Sequence, residues 1–258
     1  LRPRRPVASE EAVAALAGAI LGARRIVGFT GAGVSTESGI PDFRSPGSPW
    51  LQNKPVPFQA FVASEEARRE AWRRKFRMDD HYAGAQPSTA HRFFADLVRR
   101  GRMSAIITQN IDGLHAAAGV PSDRIVELHG NGTYAACLDC GRRHELVDVR
   151  RRFEAEEVSP RCEACGGLVK SATVSFGQSM PEAAMRRAQA EAQSCDLLLV
   201  AGSSLVVFPA AAFLEVAKRA GAALAIVNRE PTDFDSIADH LVRGDVGPIF
   251  DRIAQTLA

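Results

Sequence analysis

No apolar run in this 258-residue chain approaches the roughly 20 residues needed to span a bilayer. The longest runs, 197–201 and 222–227, have the length of buried strands. Charge of one sign is also scarce in net terms. With 32 Lys+Arg against 30 Asp+Glu the formal charge is +2, so no strong field steers the chain to nucleic acid or an anionic membrane. Neither a membrane nor a specific nucleic acid is expected as a partner, and a monomer is expected. The chain opens on Leu1, and no apolar segment follows Arg2-Pro3-Arg4-Arg5-Pro6. That stretch therefore reads as a disordered lead-in and not as a signal peptide. Internal repeats and low-complexity tracts are absent. What remains, 46% hydrophobic and 24% charged, is ordinary globular composition. The length suits one large α/β domain with a small inserted module.

Cysteine is sparse. Of five, four form two CxxC pairs, Cys137/Cys140 and Cys162/Cys165, and Cys195 stands alone at the edge of an apolar strand. An odd count in this pairing argues against a secreted disulfide framework and for a metal site in a reducing, cytoplasmic compartment. Four thiolates suit a closed, tetrahedral, structural Zn²⁺ with no open position for catalysis. Free thiols and a redox dithiol are the alternatives, although a redox site usually needs one CxxC. Cys195 reads as a buried core thiol.

Short apolar runs alternate with helical patterns. Ser9 can cap a helix ending near Gly22, and residues 26–30 read as a buried strand. A Pro/Gly/Ser-rich loop follows from Pro41 to Pro57, and residues 58–86 read as helical and strongly charged. Further strands are expected at 105–108, 125–128, 197–201 and 223–227. Helices are expected from Pro87, from Pro181, over 209–220 and over 246–257. This alternation predicts a Rossmann-like, doubly wound, mostly parallel α/β sheet. Residues 8–45, 87–130 and 171–258 would form this larger domain. The small module would combine a helical part, 46–86, with a zinc-binding part, 131–170. Polar clusters mostly follow the strands, at the edge where open α/β sheets bind ligands.

Gly31-Ala32-Gly33 follows a strand, as a diphosphate loop does. Thr36 stands where the third glycine of GxGxxG belongs, and no acidic residue ends a second strand about 20 residues on. A tight turn without ligand is an equal reading of the glycines alone. Gln109-Asn110-Ile111-Asp112 carries amides and a carboxylate after a strand. It could read ribose hydroxyls and a carboxamide, or Asp112 could simply cap a helix. His129 ends a strand and is a candidate base, since imidazole titrates near pH 6.5; a structural histidine is the alternative. The basic residues between Arg68 and Arg77 read as a solvated face.

The fifteen-residue string Gly31-Ala32-Gly33-Val34-Ser35-Thr36-Glu37-Ser38-Gly39-Ile40-Pro41-Asp42-Phe43-Arg44-Ser45 resembles the signature loop of the sirtuin family. Gln109 to Asp112 resembles its QNxD motif, and Leu128-His129-Gly130 its LHG motif. Residues 87–91 resemble its PNxAH helix start, where His91 is expected to be structural. Residues 202–210 resemble GTSLxVxPA, and Asn228-Arg229-Glu230-Pro231-Thr232 resembles NxxPT. The resemblance covers the chain from about residue 10. It implies an NAD-dependent protein lysine deacetylase or deacylase that converts acyl-lysine and NAD to lysine, nicotinamide and O-acyl-ADP-ribose. It further implies NAD contacts at Gly31, Ala32, Gly33, Ser35, Ile40, Asp42, Phe43, Arg44, Gln109, Ile111 and Asp112. Gly202, Ser203 and Ser204 would contact phosphate and adenosine, joined there by Asn228, Arg229, Glu230, Asp245 and Val246. Asn110 would hold the reacting ribose and His129 would act as general base. An acyl-lysine peptide would lie as a strand beside residues 170–178, where Ser171-Ala172 replaces the usual Pro-Asp pair and Gln178 an acidic residue. Tyr82 lacks an arginine three residues on, which argues against succinyl-lysine. Trp72, Phe76 and the Gln86-Pro87 spacing resemble the class II, bacterial branch. An ADP-ribosyltransferase and a non-catalytic NAD-sensing scaffold are the competing readings.

Overall fold

The computed structural model describes residues 8–42 and 55–257. Phe43, Arg44, the lead-in and most of the Pro/Gly/Ser-rich loop lie outside the described residues. In chain order come α1 (Glu10–Gly22), β1 (Ile26–Thr30), a 3-10 helix (Ala32–Ser38), α2 (Phe58–Ala63), α3 (Glu65–His81), α4 (Thr89–Arg99) and β2 (Met103–Thr108). Next are α5 (Leu114–Ala117), β3 (Ile125–Glu127), β4 (Gly130–Cys137), β5 (Arg143–Glu145), α6 (Leu146–Glu156) and β6 (Val169–Thr173). The chain closes with α7 (Glu182–Ser194), β7 (Leu197–Ala201), α8 (Ala212–Arg219), β8 (Ala223–Asn228), β9 (His240–Arg243) and α9 (Val246–Leu257).

Among the described residues six strands form one sheet, in the order β3-β2-β1-β7-β8-β9, and every neighbouring pair is parallel. Counted along the chain this is 3-2-1-4-5-6, the doubly wound dinucleotide-binding order. Alternation along each strand feeds two cores. Ile26, Leu197 and Leu199 pack with α1, α4 and α9. Val27, Phe29, Leu198 and Val200 pack with α7 and α8 on the other face. Burial on both faces explains why these strands are continuous apolar runs. Gly28 admits the Phe94 ring from α4; a Cβ there would sit 2.6 Å from Phe94 Cε1. No helix among the described residues is long and apolar enough to cross a membrane.

A second, antiparallel sheet has the order β5-β4-β6. Its cluster joins Ala135, Val149, Phe153, Cys137, Cys162 and Val169 to Trp72 and Phe76 of α3. The Trp72 and Phe76 rings stack at 5.4 Å. The helical and cysteine-bearing segments thus share one core.

Three local expectations need correction. The helical reading of 58–86 resolves into two helices and stops short of residue 86. Ser64 breaks the run and caps α3 by accepting the Ala67 N–H at 3.2 Å, and α3 ends at His81. Arg68 does not lie on a solvated face. It is 7% exposed and donates to the Phe61 and Val62 carbonyls, closing the carboxyl end of α2. The helix expected from Pro209 begins at Ala212. β9 and the small sheet had no clear signal, being short and only half-buried.

Candidate functional site

Strand order reverses between β1 and β7, and two loops leave their carboxyl ends side by side. Gly31 N–H donates to the Ala201 carbonyl at 3.1 Å and Gly33 N–H to the Gly202 carbonyl at 2.8 Å. A Cβ on Gly33 would lie 2.7 Å from Gly202 Cα. One on Gly202, whose φ is +60°, would lie 2.5 Å from Val34 N. Only glycine permits this approach. Thr36, at the third-glycine position, donates from Oγ1 to the Gly33 carbonyl at 3.0 Å and so braces the loop itself. The segment after the loop is a 3-10 helix ended by Gly39 at φ +82°, not the full helix a dinucleotide fold usually places there.

The carboxyl end of β2 contributes the polar wall. Ser35 Oγ donates to Asp112 Oδ2 at 2.7 Å, and Asn110 Nδ2 donates to the Gly31 carbonyl and to Ser35 Oγ, both at 3.1 Å. Asp112 also accepts the Leu114 N–H at 2.9 Å at the start of α5, as the capping reading expected. Gln109 Nε2 donates to Ser203 Oγ at 2.8 Å, and the same hydroxyl accepts the Leu205 N–H at 3.2 Å. That bond helps hold buried Leu205 at φ +57°, a region costing a non-glycine residue about 1 kcal/mol or more. Side-chain and main-chain bonds together therefore tie the loops after β1, β2 and β7 to one another.

His129 follows β3. Its Nδ1 lies 2.9 Å from the Gln109 carbonyl. A carbonyl only accepts, so Nδ1 carries the proton and Nε2 presents a lone pair. Burial pushes the imidazole below its ordinary value, opposed by the Gln109 bond. The ring is neutral and basic at pH 7. The His129 carbonyl in turn accepts the Val174 N–H at 2.8 Å.

Two further histidines sit beneath this wall, and sequence reading assigned them no part in it. His115, 3% exposed, bonds Thr30 Oγ1 at 2.9 Å. Thr30 Oγ1 spends its proton on Thr108 Oγ1, so His115 Nε2 is the donor. Thr108 Oγ1 then accepts the Asn110 N–H at 3.1 Å. His91, fully buried, accepts the Ser88 N–H at Nδ1, and Ser88 Oγ donates to the Val34 carbonyl at 2.7 Å. The two rings meet edge to face at 4.7 Å. Burial lowers His91 to about 4 and His115 to about 3. The signal that could have found them is threonine at the last position of two neighbouring strands, each needing a buried partner.

The remaining candidates fall along the same edge of the sheet. Ile40 and Asp42 lie half-buried beyond the 3-10 helix, and the Ile111 carbonyl accepts the Gly132 N–H at 2.7 Å. At the end of β8, Asn228 Nδ2 donates to the Glu230 carbonyl at 2.8 Å, and Arg229 Nε meets Asp245 Oδ1 at 2.6 Å just before buried Val246. Gly202 N–H bonds the Val227 carbonyl at 3.0 Å, tying this group to the glycine loop. The four paired cysteines converge with all Sγ atoms within 4.8 Å of one another. Cys137 and Cys165 are 3.5 Å apart at sulfur, and Cys140 and Cys162 3.7 Å. Tetrahedral Zn–S bonds of about 2.3 Å demand S···S distances near 3.8 Å, so the cluster is positioned to bind a structural zinc. Cys195 is buried, and burial raises its thiol to about 11.

The Sir2 family model matches residues 31–209. The chain belongs to the Sir2 family. A protein from Rhodopseudomonas palustris named NAD-dependent protein deacetylase is 58% identical over 225 residues, covering 87% of this chain and 89% of that protein. NAD-dependent protein deacetylase 1 of Bradyrhizobium diazoefficiens is 56% identical over 225 residues, with coverage of 87% and 88%. Among solved structures, a Sir2 complex with a p53 peptide and NAD+ superposes with a TM-score of 0.82 at 35% identity. It covers 94% of this chain and 97% of that one.

Proposed function

We propose that this sirtuin is an NAD-dependent protein lysine deacetylase or deacylase. The observation that carries the reading is the wall of Ser35, Asn110, Asp112, Gln109 and Ser203, with a neutral His129 whose Nδ1 is held by the Gln109 carbonyl, leaving Nε2 as the basic nitrogen. The cradle fits a dinucleotide, because its glycines leave no room for a Cβ between the loops. NAD, when bound, supplies the ribose carbon from which nicotinamide departs and which captures the acyl oxygen. Gly31, Gly33, Gly202 and Ser203 would line the diphosphate, and Asn228, Glu230, Asp245 and Val246 the adenosine end. Ser35, Asn110 and Asp112 would orient the nicotinamide ribose and its carboxamide. His129 would take a ribose hydroxyl proton at Nε2, while the Gln109 carbonyl fixes its tautomer.

The acyl-lysine peptide would add as a strand beside residues 173–176, where main-chain groups rather than side chains give affinity. Gln178 holds that segment by accepting the Ser175 N–H at 3.1 Å, so loss of the family's acidic residue leaves the turn intact. We assign residues 58–81 and 131–170 to one small module braced by zinc, with no catalytic part for the metal. Metal-poised thiols and the absence of paired disulfides fit a cytoplasmic setting.

The test is coupling. Nicotinamide release should match loss of acetyl or a longer acyl group from a lysine peptide one for one, and His129→Ala should abolish both. NAD consumption that proceeds without acyl-lysine would overturn the reading. A panel of acetyl, propionyl and long-chain acyl peptides would then rank the acyl groups.

A further inference from the structure

The opposite end of the sheet, at the amino-terminal ends of β1 and β2, holds a cavity of about 630 Å³. That volume falls within the range of small-molecule sites. Its lining carries five arginines, Arg24, Arg25, Arg99, Arg102 and Arg124; the carboxylates that four of them meet, Asp196, Glu191, Asp96 and Asp123, lie outside that lining. Val98, Met103 and Pro121 give it an apolar floor. The carboxyl ends of α1, α4 and α5 converge here, which supplies a structural reason for cations. That reason accounts for only part of the set. Arg102 Nη2 caps α1 through the Ile20 and Leu21 carbonyls, at 2.8 and 2.5 Å. Arg124 Nη1 is used by the Ser104 carbonyl, and Arg25 by Glu191. Arg24 and Arg99 are different. Their side chains are 94% and 77% exposed; Arg24 only approaches Asp196 at 3.8 Å, and Arg99 meets Asp96 through one nitrogen. Each guanidinium has five N–H donors, so most of theirs remain for a ligand.

We propose that this rear cavity binds a ligand carrying two or more linked phosphates. Guanidinium forks match phosphate oxygens, and several of them around one concave wall favour a chain of phosphates over a single anion. The apolar floor can seat a base or stay empty, so the ligand is a nucleoside polyphosphate or inorganic polyphosphate. The site is separate from the cradle at the carboxyl edge of the strands and independent of its chemistry.

The full-length chain should be titrated with tripolyphosphate and with ATP, alongside Arg24→Glu/Arg99→Glu and the milder Arg24→Gln/Arg99→Gln. Saturable one-to-one binding of either probe is expected, weakened at least about tenfold by both double variants. ATP binding well above tripolyphosphate would assign the floor to a nucleoside; equal binding would assign the site to the phosphate chain. NAD turnover should be unchanged in the glutamine variant. No saturable binding of either probe, or binding that both variants retain, would overturn the proposal.

Discussion

The two buried histidines make a quantitative prediction about acid. In the folded chain His91 titrates at about 4 and His115 at about 3, chiefly through burial, against an ordinary imidazole value of 6.5. Repulsion from the charge His91 would carry lowers His115 further, and the charge of Asp112 partly offsets the effect at His91. Folded values below the unfolded value mean that the unfolded chain binds more protons in acid. Their contribution is therefore complete above about pH 6.5 and is lost as pH falls towards 4. At pH 5 each unfolded ring gains about 2 kcal/mol by protonation, and the pair about 4 kcal/mol. That is a large share of a typical domain stability of about 5–15 kcal/mol. Urea unfolding at pH 8 and pH 5 measures it. The control is His91→Asn/His115→Gln, which keeps an acceptor for Ser88 N–H and a donor for Thr30 Oγ1 while removing both titrations. Metal loss in acid affects the two chains alike and cancels. The wild type should lose about 4 kcal/mol more than the variant between the two pH values. Equal losses would refute the assignment of these rings as buried and neutral.

Gly33→Ala places a methyl 2.7 Å from Gly202 Cα, so it should raise the KM for NAD at least about tenfold in steady-state assays. Metal analysis should find one zinc per chain, and Cys162→Ser should remove it and lower the melting temperature. Trp72→Ala empties a fully buried site in the core shared with Cys137 and Cys162, costing about 3–5 kcal/mol and loosening zinc retention against a chelator. Gln178→Glu keeps an acceptor for the Ser175 N–H, so the unfolding free energy from denaturant titration should change by no more than about 0.5 kcal/mol.

The centre of the large sheet was legible because β1, β2, β7 and β8 are buried on both faces. Runs such as 197–201 have no polar interruption, and the glycine and amide clusters follow directly. The cysteine cluster was equally plain, since CxxC spacing encodes its own geometry. What escaped was whatever depends on contacts distant in sequence. Nothing near Arg68 announces that it caps a preceding helix instead of meeting water. His115 resembles a surface helix residue until Thr30 and Thr108, from two strands, are brought under it. The 3-10 helix was missed because Thr36 braces the loop from a position where the usual pattern requires glycine. β4 and β6 are half-buried and polar along much of their length, so alternation is weak in them.

Gly130 joins His129 to the small sheet, and Val174 leaves that sheet bonded to the His129 carbonyl. A Cβ on Gly130 would sit 2.0 Å from the Ala172 carbonyl oxygen, so the two strands are pressed together there. The imidazole thus rides on the fulcrum between the sheets. The ring is anchored to both sheets, through the Gln109 carbonyl on the large-sheet side and through Gly130 and Val174 on the small-sheet side.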